Sequence, residues 1–340
     1  MLGTTRLLDR VLFKPETLPP SATLSIGLVP PVAAGLILFR LAAVEMLVLA
    51  IAVGGIAHLT ARLIRQPLQV STVIPAIVGV ALIGPGASPA WALGVAVAAS
   101  TLEVARVRLL PAFRIHAGLL AYSSLFLLGR GVPAAYYRPY DVGRRPFPEP
   151  IAFWQGPLFG GSSTPLEPVT LYVGNVAGPV FATSLLAVLV GAAWLWYARR
   201  LSLGAIVTVF LGSCIPVALM GWSYGYQIVS GPLWFVVVFG LADRRLLPKG
   251  AAARTLLGFT AGLVVLAVRA LGYGIESAPI AVVGLQLVVG IVEGAGWLAG
   301  ERELVRRRSR LIRERATQIR FVNPLQREGP ASDRPETRSA

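Results

Sequence analysis

Apolar residues run through this sequence in long blocks, without the alternation of a half-buried strand or the one-sided stripe of a surface helix. From Ala22 onward, ten such blocks follow one another, separated by short stretches of Arg, Gly and Pro. Each is near the ~20 residues that cross a bilayer as a helix. They predict spans near 22–39, 41–60, 68–85, 89–107, 115–129, 170–197, 202–221, 226–243, 253–271 and 277–299. The fifth is short. The sixth opens on Gly174-Asn175-Val176-Ala177-Gly178-Pro179, where two glycines, an asparagine and a proline fall within six residues. A regular membrane helix tolerates such a run poorly. It is tolerated where protein or a cavity satisfies the backbone, and transport and cofactor sites sit at such breaks. A loop-to-helix transition with Gly178-Pro179 as ordinary start residues accounts for it equally.

The blocks divide the chain. Residues 1–21 form a short basic segment, and 22–300 an all-α polytopic membrane domain. Its halves, 22–129 and 169–300, are joined by a loop over 130–168 rich in Pro, Gly and aromatics. Five spans on each side predict two inverted five-helix repeats, because an odd number of spans reverses the second half, with a default site between the halves. Residues 301–322 read as a basic amphipathic helix on an anionic inner leaflet, or equally as a solvated tail. Residues 323–340 have a disordered composition.

Composition supports this class. The 340 residues are 55% hydrophobic and only 14% charged, against about 25% charged in soluble domains, and mean hydropathy is +0.69. The net charge of +15 would point to nucleic acid in a soluble protein; here it reports topology, and no nucleic-acid partner is expected. With both termini cytoplasmic, 25 of the 31 basic residues fall inside, eleven of them in the tail. The uncharged loops 84–89 and 221–226 fall outside, as does 130–168. One cysteine, Cys214, excludes an intrachain disulfide or a cysteine-ligated cluster, and it reads as a packing residue. No metal site and no catalytic residue are predicted.

Charges inside membrane spans are expensive and therefore candidates for function. Glu45, Glu103, Arg269 and Glu293 lie within spans, and Asp243 and Glu276 at span ends. Glu103 and Arg106 stand three apart and suit a simple ion pair. Arg269 lies near the outer end of its span, free either to snorkel outward or to face an anion, with Glu276 within reach in sequence.

The second half resembles the RnfD/NqrB family, membrane subunits of the Rnf electron-transport complex and of the sodium-translocating NADH:quinone oxidoreductase. That family carries a run like G-N-x-x-G-S-x-G-E-T-S. Here it reads Gly174-Asn175-Val176-Ala177-Gly178-Pro179-Val180-Phe181-Ala182-Thr183-Ser184, with Ala182 in place of the glutamate. The family's F-x-A-T-D-P is similar to Phe239–Arg244, keeping Asp243, and its arginine followed by G-Y-P-E-G to Arg269 and Gly272–Glu276. A membrane acid near the end of the last span matches Glu293, and Pro75–Pro89 with Trp91 resembles a first-half segment more loosely. The S-G-A-T-P-L motif, whose threonine carries FMN through a phosphoester, corresponds to Ser162-Ser163-Thr164-Pro165-Leu166 preceded by Gly161.

The resemblance implies ten helices in two inverted repeats. It also implies a flavin-bearing subunit of a chain of electron carriers, and ions moving through the membrane. FMN, covalent at Thr164, is the implied cofactor, with riboflavin as a second candidate. Gly174, Asn175, Gly178, Thr183 and Ser184 are the implied cofactor-contacting residues, and Asp243, Arg269, Glu276 and Glu293 the implied ion path or buried charges. Partners would be other membrane subunits and flavin- or iron–sulfur-containing ones, in the cell's inner (plasma) membrane, the chain being a translocase subunit and not an enzyme alone. A small-solute transporter with the same architecture, or a membrane scaffold, are the alternative readings. The sequence holds no nicotinamide-binding fingerprint.

The charge asymmetry yields a direct expectation. In a Cys214→Ser background, an impermeant thiol reagent applied to intact cells should label Arg144→Cys and leave Arg308→Cys unlabelled. The reverse pattern would overturn the orientation.

Overall fold

The structure, a computed structural model, describes residues 17–66, 68, 70–109, 113–141, 143–147, 150–151, 168–229 and 231–294. Residues through Gly290 form one compact unit; of the second, Ile291–Ala340, only Ile291–Gly294 is described. The predicted helix over 301–322 and the tail 323–340 lie outside the described residues.

In chain order the helices are α1 (Pro20–Phe39), α2 (Leu41–Leu63), α3 (Val73–Val80), α4 (Pro89–Leu109) and α5 (Ala117–Leu128). After the loop come α6 (Pro168–Val173), α7 (Leu185–Tyr197), α8 (Leu203–Met220), α9 (Tyr224–Ile228) and α10 (Gly231–Val236). A π-helical turn, Val237–Leu241, continues α10. Then follow α11 (Ala251–Ala270) and α12 (Ser277–Gly294). Among the described residues there is no strand, only the isolated bridges Tyr137↔Pro146 and Leu201↔Asp243.

Seven segments are long and apolar enough to cross a membrane, the fifth of them Tyr224–Leu241. They coincide with the predicted spans one, two, four, seven, eight, nine and ten. The other three depart from the expectation of regular helices near 20 residues. The block at 68–85 keeps only the eight residues of α3, and beyond Val80 the carbonyls of Ala81 and Ile83 bond to distant chain. The block at 115–129 is the 12-residue α5. The block at 170–197 is two helices, α6 and α7, on either side of an irregular stretch at 174–184. A helix of 12 residues extends about 18 Å, well short of a ~30 Å hydrocarbon core, so the irregular chain at these places works at membrane depth.

That irregular chain is satisfied by other irregular chain. Beyond α3, the carbonyls of Ala81 and Ile83 accept the N–H groups of Phe181 (3.1 Å) and Val180 (2.9 Å). The N–H groups of Gly84 and Gly86 donate to the carbonyls of Pro133 (2.8 Å) and Ala135 (2.9 Å), in the loop after α5. All four residues of the first crossing are buried. The break in the second half therefore completes the break in the first.

The second and fourth spans pair in each half, α2 on α4 and α8 on α11, and the two first spans, α1 and α7, pack on each other across the halves. A second cross-half tie joins the fifth spans. The His116 N–H, at the start of α5, donates to Oε1 of Gln286 on α12 (3.0 Å), and Gln286 Nε2 donates to the Gly240 carbonyl in the π turn (2.7 Å). Cys214 is partly buried against the core, as a packing residue would be.

Small residues set the contact between α8 and α11. A Cβ on Gly262 of α11 would lie 2.6 Å from the Ser213 nitrogen and closer still to the Val209 carbonyl, both on α8. Close approach at small residues is how helices associate in lipid. Gly262→Ala should therefore destabilise the purified protein by roughly 1–3 kcal/mol, the cost of overpacking. Gly204→Ala, with open space around it, should be neutral or gain up to about 1 kcal/mol. Thermal unfolding in one detergent compares the two; equal effects would refute the close-packing assignment.

Candidate functional site

The stretch from Gly174 to Ser184 is built by local rules. The N–H groups of Gly174 and Asn175 both donate to the Thr170 carbonyl, at 3.0 and 2.9 Å, which closes α6. Gly174 has φ +91°, and a Cβ there would meet the Ser184 nitrogen at 2.6 Å. This is a glycine-terminated helix end of the Schellman kind. A Cβ on Gly178 would lie 2.6 Å from Thr183 Cγ2. The Ser184 hydroxyl accepts from the Ala187 N–H (3.3 Å) and caps α7. The structure thus brings Gly174, Gly178, Thr183 and Ser184 together around one folded-back loop, with Thr183 and Ser184 buried. Asn175 is exposed. Thr164 lies outside the described residues.

A buried polar cluster adjoins this loop. Ala177 packs with Tyr136, Ile151 and Ile275 in a small apolar group. Tyr136 donates its hydroxyl to Glu276 Oε1 at 2.6 Å. Close by in the chain, Arg269, 1% exposed, donates from Nε to Ser277 Oγ (3.0 Å) and from Nη1 to both the backbone and side-chain oxygens of Gln227, at 2.7 and 2.9 Å. The guanidinium does not snorkel outward. It is fixed by α9 and by the start of α12. Sequence reasoning reached Arg269 and Glu276 but not Gln227 or Ser277, whose only signal was an uncharged polar residue at the start of an apolar block.

Electrostatics make Glu276 the responsive member. Burial pushes its carboxyl up from the ordinary value; the Tyr136 hydroxyl, a backbone hydrogen bond and the field of Arg269 pull it back down. Tyr136 itself is held well above its ordinary value, first by burial and then by the neighbouring Glu276 charge. An arginine stays protonated in any protein environment. Arg269 with ionised Glu276 is formally neutral, and with protonated Glu276 carries one positive charge. The cluster can therefore hold or release a single proton at one carboxyl.

The remaining candidates lie elsewhere. Asp243, 3% exposed, forms an ion pair with Arg245, whose backbone N–H also donates to Asp243 Oδ1 at 3.0 Å. Glu103 holds Arg106 through two hydrogen bonds, 2.7 and 3.0 Å, as the spacing predicts. Glu293 is half-buried in the last turns of α12, within the second unit. Glu45 is exposed on α2.

Residues 145–293 match the sequence model of the NQR2, RnfD, RnfE family, from the loop before α6 to α12. No curated protein matches the chain. Over residues 145–293 the chain is similar to the NQR2, RnfD, RnfE family. That family implies a multi-pass membrane subunit of a multi-subunit, ion-translocating electron-transport complex.

The Tyr136–Glu276 bond generates a pH expectation. Its hydroxyl favours the ionised carboxyl, so Tyr136→Phe should move the Glu276 titration further up. In infrared difference spectra, the protonated carboxyl band should persist to higher pH in Tyr136→Phe than in the wild type and be missing in Glu276→Gln. A band unchanged by Glu276→Gln would belong to another acid and refute the assignment.

Proposed function

We propose that this chain is a flavin-contacting membrane subunit of a redox-driven, ion-translocating complex, in which the loop 174–184 and the Arg269–Glu276–Tyr136 cluster act together. The supporting observation is their adjacency: Ala177 of the broken stretch packs against Tyr136 and Ile275, immediate neighbours of the titrating carboxyl. A change of charge near the loop would be felt at Glu276 through a low-dielectric interior. Coupling of electron transfer to ion movement needs such a paired response.

The fit of FMN rests on few described residues. Gly174 and Gly178 face the loop's own Ser184 and Thr183, and Ser184 caps α7, so these four shape the loop. Asn175, exposed at the end of α6, is the described residue whose amide is open to a ligand. Thr164 supplies the hydroxyl that a phosphoester requires, and it precedes α6 in the loop that the charge pattern places outside. Flavin, when bound, supplies one- and two-electron redox chemistry. The chain's part is to position it and to hold a proton at Glu276. The proposed orientation has both termini in the cytoplasm, in the inner (plasma) membrane, with flavin- or iron–sulfur-bearing subunits as partners.

Expression with a flavin transferase, followed by denaturing electrophoresis under ultraviolet light, provides the test. The wild-type band should fluoresce and the Thr164→Val band should be dark. A dark wild-type band with flavin recovered in the native fraction would restrict the proposal to non-covalent binding. Absence of flavin from both fractions of the assembled complex would sink it.

A further inference from the structure

We propose that a basic concavity, lined by residues separate from the Glu276 cluster, is a binding site for a phosphate-bearing anion. Arg106, Arg114, Arg244, Arg245, Lys249 and Arg254 surround a single cavity of about 400 Å³. Among its described lining residues there is no carboxylate. Pockets of small ligands start near 300 Å³, enough here for a phosphate ester and not for a large cofactor.

The asymmetry of loop charges accounts for basic residues on one side of the membrane. It does not account for their convergence. Arg106 and Arg114 come from the first half, Arg244, Arg245 and Lys249 from the connection between the π turn and α11, and Arg254 from α11 itself, 130 or more positions later in the numbering. The Arg114 guanidinium donates to the Leu247 carbonyl, which ties the two runs together. Like charges gathered in this way repel one another unless something offsets them.

Carboxylates stand behind Arg106 and Arg245. Glu103 holds Arg106, which also donates to the Phe113 carbonyl at 3.2 Å, and Asp243 holds Arg245. Both arginines are thereby fixed in position, with side chains 22% and 27% exposed. Arg244 and Lys249 are exposed, which leaves the cavity accessible. Arg254 stands in the first turn of α11, where no acidic residue is present. A helix start already carries partial positive charge, so the same sign accumulates from side chains and backbone alike. Fixed guanidinium forks with exposed cations beside them suit phosphate oxygens, which accept bidentate, charge-assisted hydrogen bonds.

The phosphate could belong to an anionic phospholipid headgroup or to a free phosphate compound, and the site chemistry is the same for both. Full-length protein is purified in detergent and examined by native mass spectrometry with dioleoyl phosphatidylglycerol, with dioleoyl phosphatidylcholine as the zwitterionic control, and separately with inorganic pyrophosphate. The pocket variant is Arg244→Gln/Lys249→Gln/Arg254→Gln. A tail variant, Arg306→Gln/Arg307→Gln/Arg308→Gln, removes equal charge from the other basic segment.

Phosphatidylglycerol should be retained in preference to phosphatidylcholine, with at least about a tenfold loss of affinity in the pocket variant and little change in the tail variant. That result assigns a lipid headgroup. Pyrophosphate binding with the same dependence, and no lipid preference, assigns a free phosphate source. Binding of neither probe that depends on the pocket residues, or equal losses in both variants, overturns the proposal. If the triple variant aggregates, Arg244→Gln/Lys249→Gln, at exposed positions, should show a smaller loss in the same direction, and no loss there overturns it as well.

Discussion

Backbone groups at membrane depth have no water to turn to, and the rest of this structure depends on how two irregular stretches meet that constraint. Each unsatisfied group in an apolar interior costs several kcal/mol. α3 stops after eight residues and the chain between α6 and α7 is not helical. Neither could exist at depth alone. Together they exchange bonds, Ala81 and Ile83 accepting from Phe181 and Val180. The two halves of the domain are therefore conditions of each other's stability, and the loop 174–184 is held by chain from far away in sequence. A stretch so anchored can keep an irregular shape next to a buried carboxyl.

Charge is handled differently at the two polar regions. Near Tyr136, one cation and one acid are buried with neutral partners, and the balance can shift by a single proton. Around Arg106 and Arg245, carboxylates hold two arginines in place beside four further basic residues of one cavity. The first arrangement suits a response to events inside the membrane. The second suits recognition of an anion from outside it.

Much of the helical plan was legible in the sequence, because apolar block length and arginine placement both report membrane crossing. The unwinding of Gly84–Gly86 and of 174–184 was legible only as a composition of Gly and Pro. Its extent was not, since it is set by a long-range exchange of backbone bonds. The Glu103–Arg106 pair followed from helical spacing. Arg269 stood out as a charge in an apolar block, whereas Gln227 and Ser277 carry no charge and became visible only when folding placed them on its guanidinium. The basic cavity escaped notice for a related reason: its arginines read individually as topology signals, and only the fold makes them neighbours.

The Gln286 tie between the halves has a directional character. Its oxygen meets a backbone N–H, that of His116, and its nitrogen meets a backbone carbonyl, that of Gly240. Both partners are main chain, so neither can exchange donor for acceptor. Rotating the amide by half a turn would set donor against donor and acceptor against acceptor. A glutamate would lose the donor end, a leucine both ends, and an asparagine the reach. The contact thus reads polarity as well as shape, accepting one order of atoms where the fifth span of one half meets that of the other.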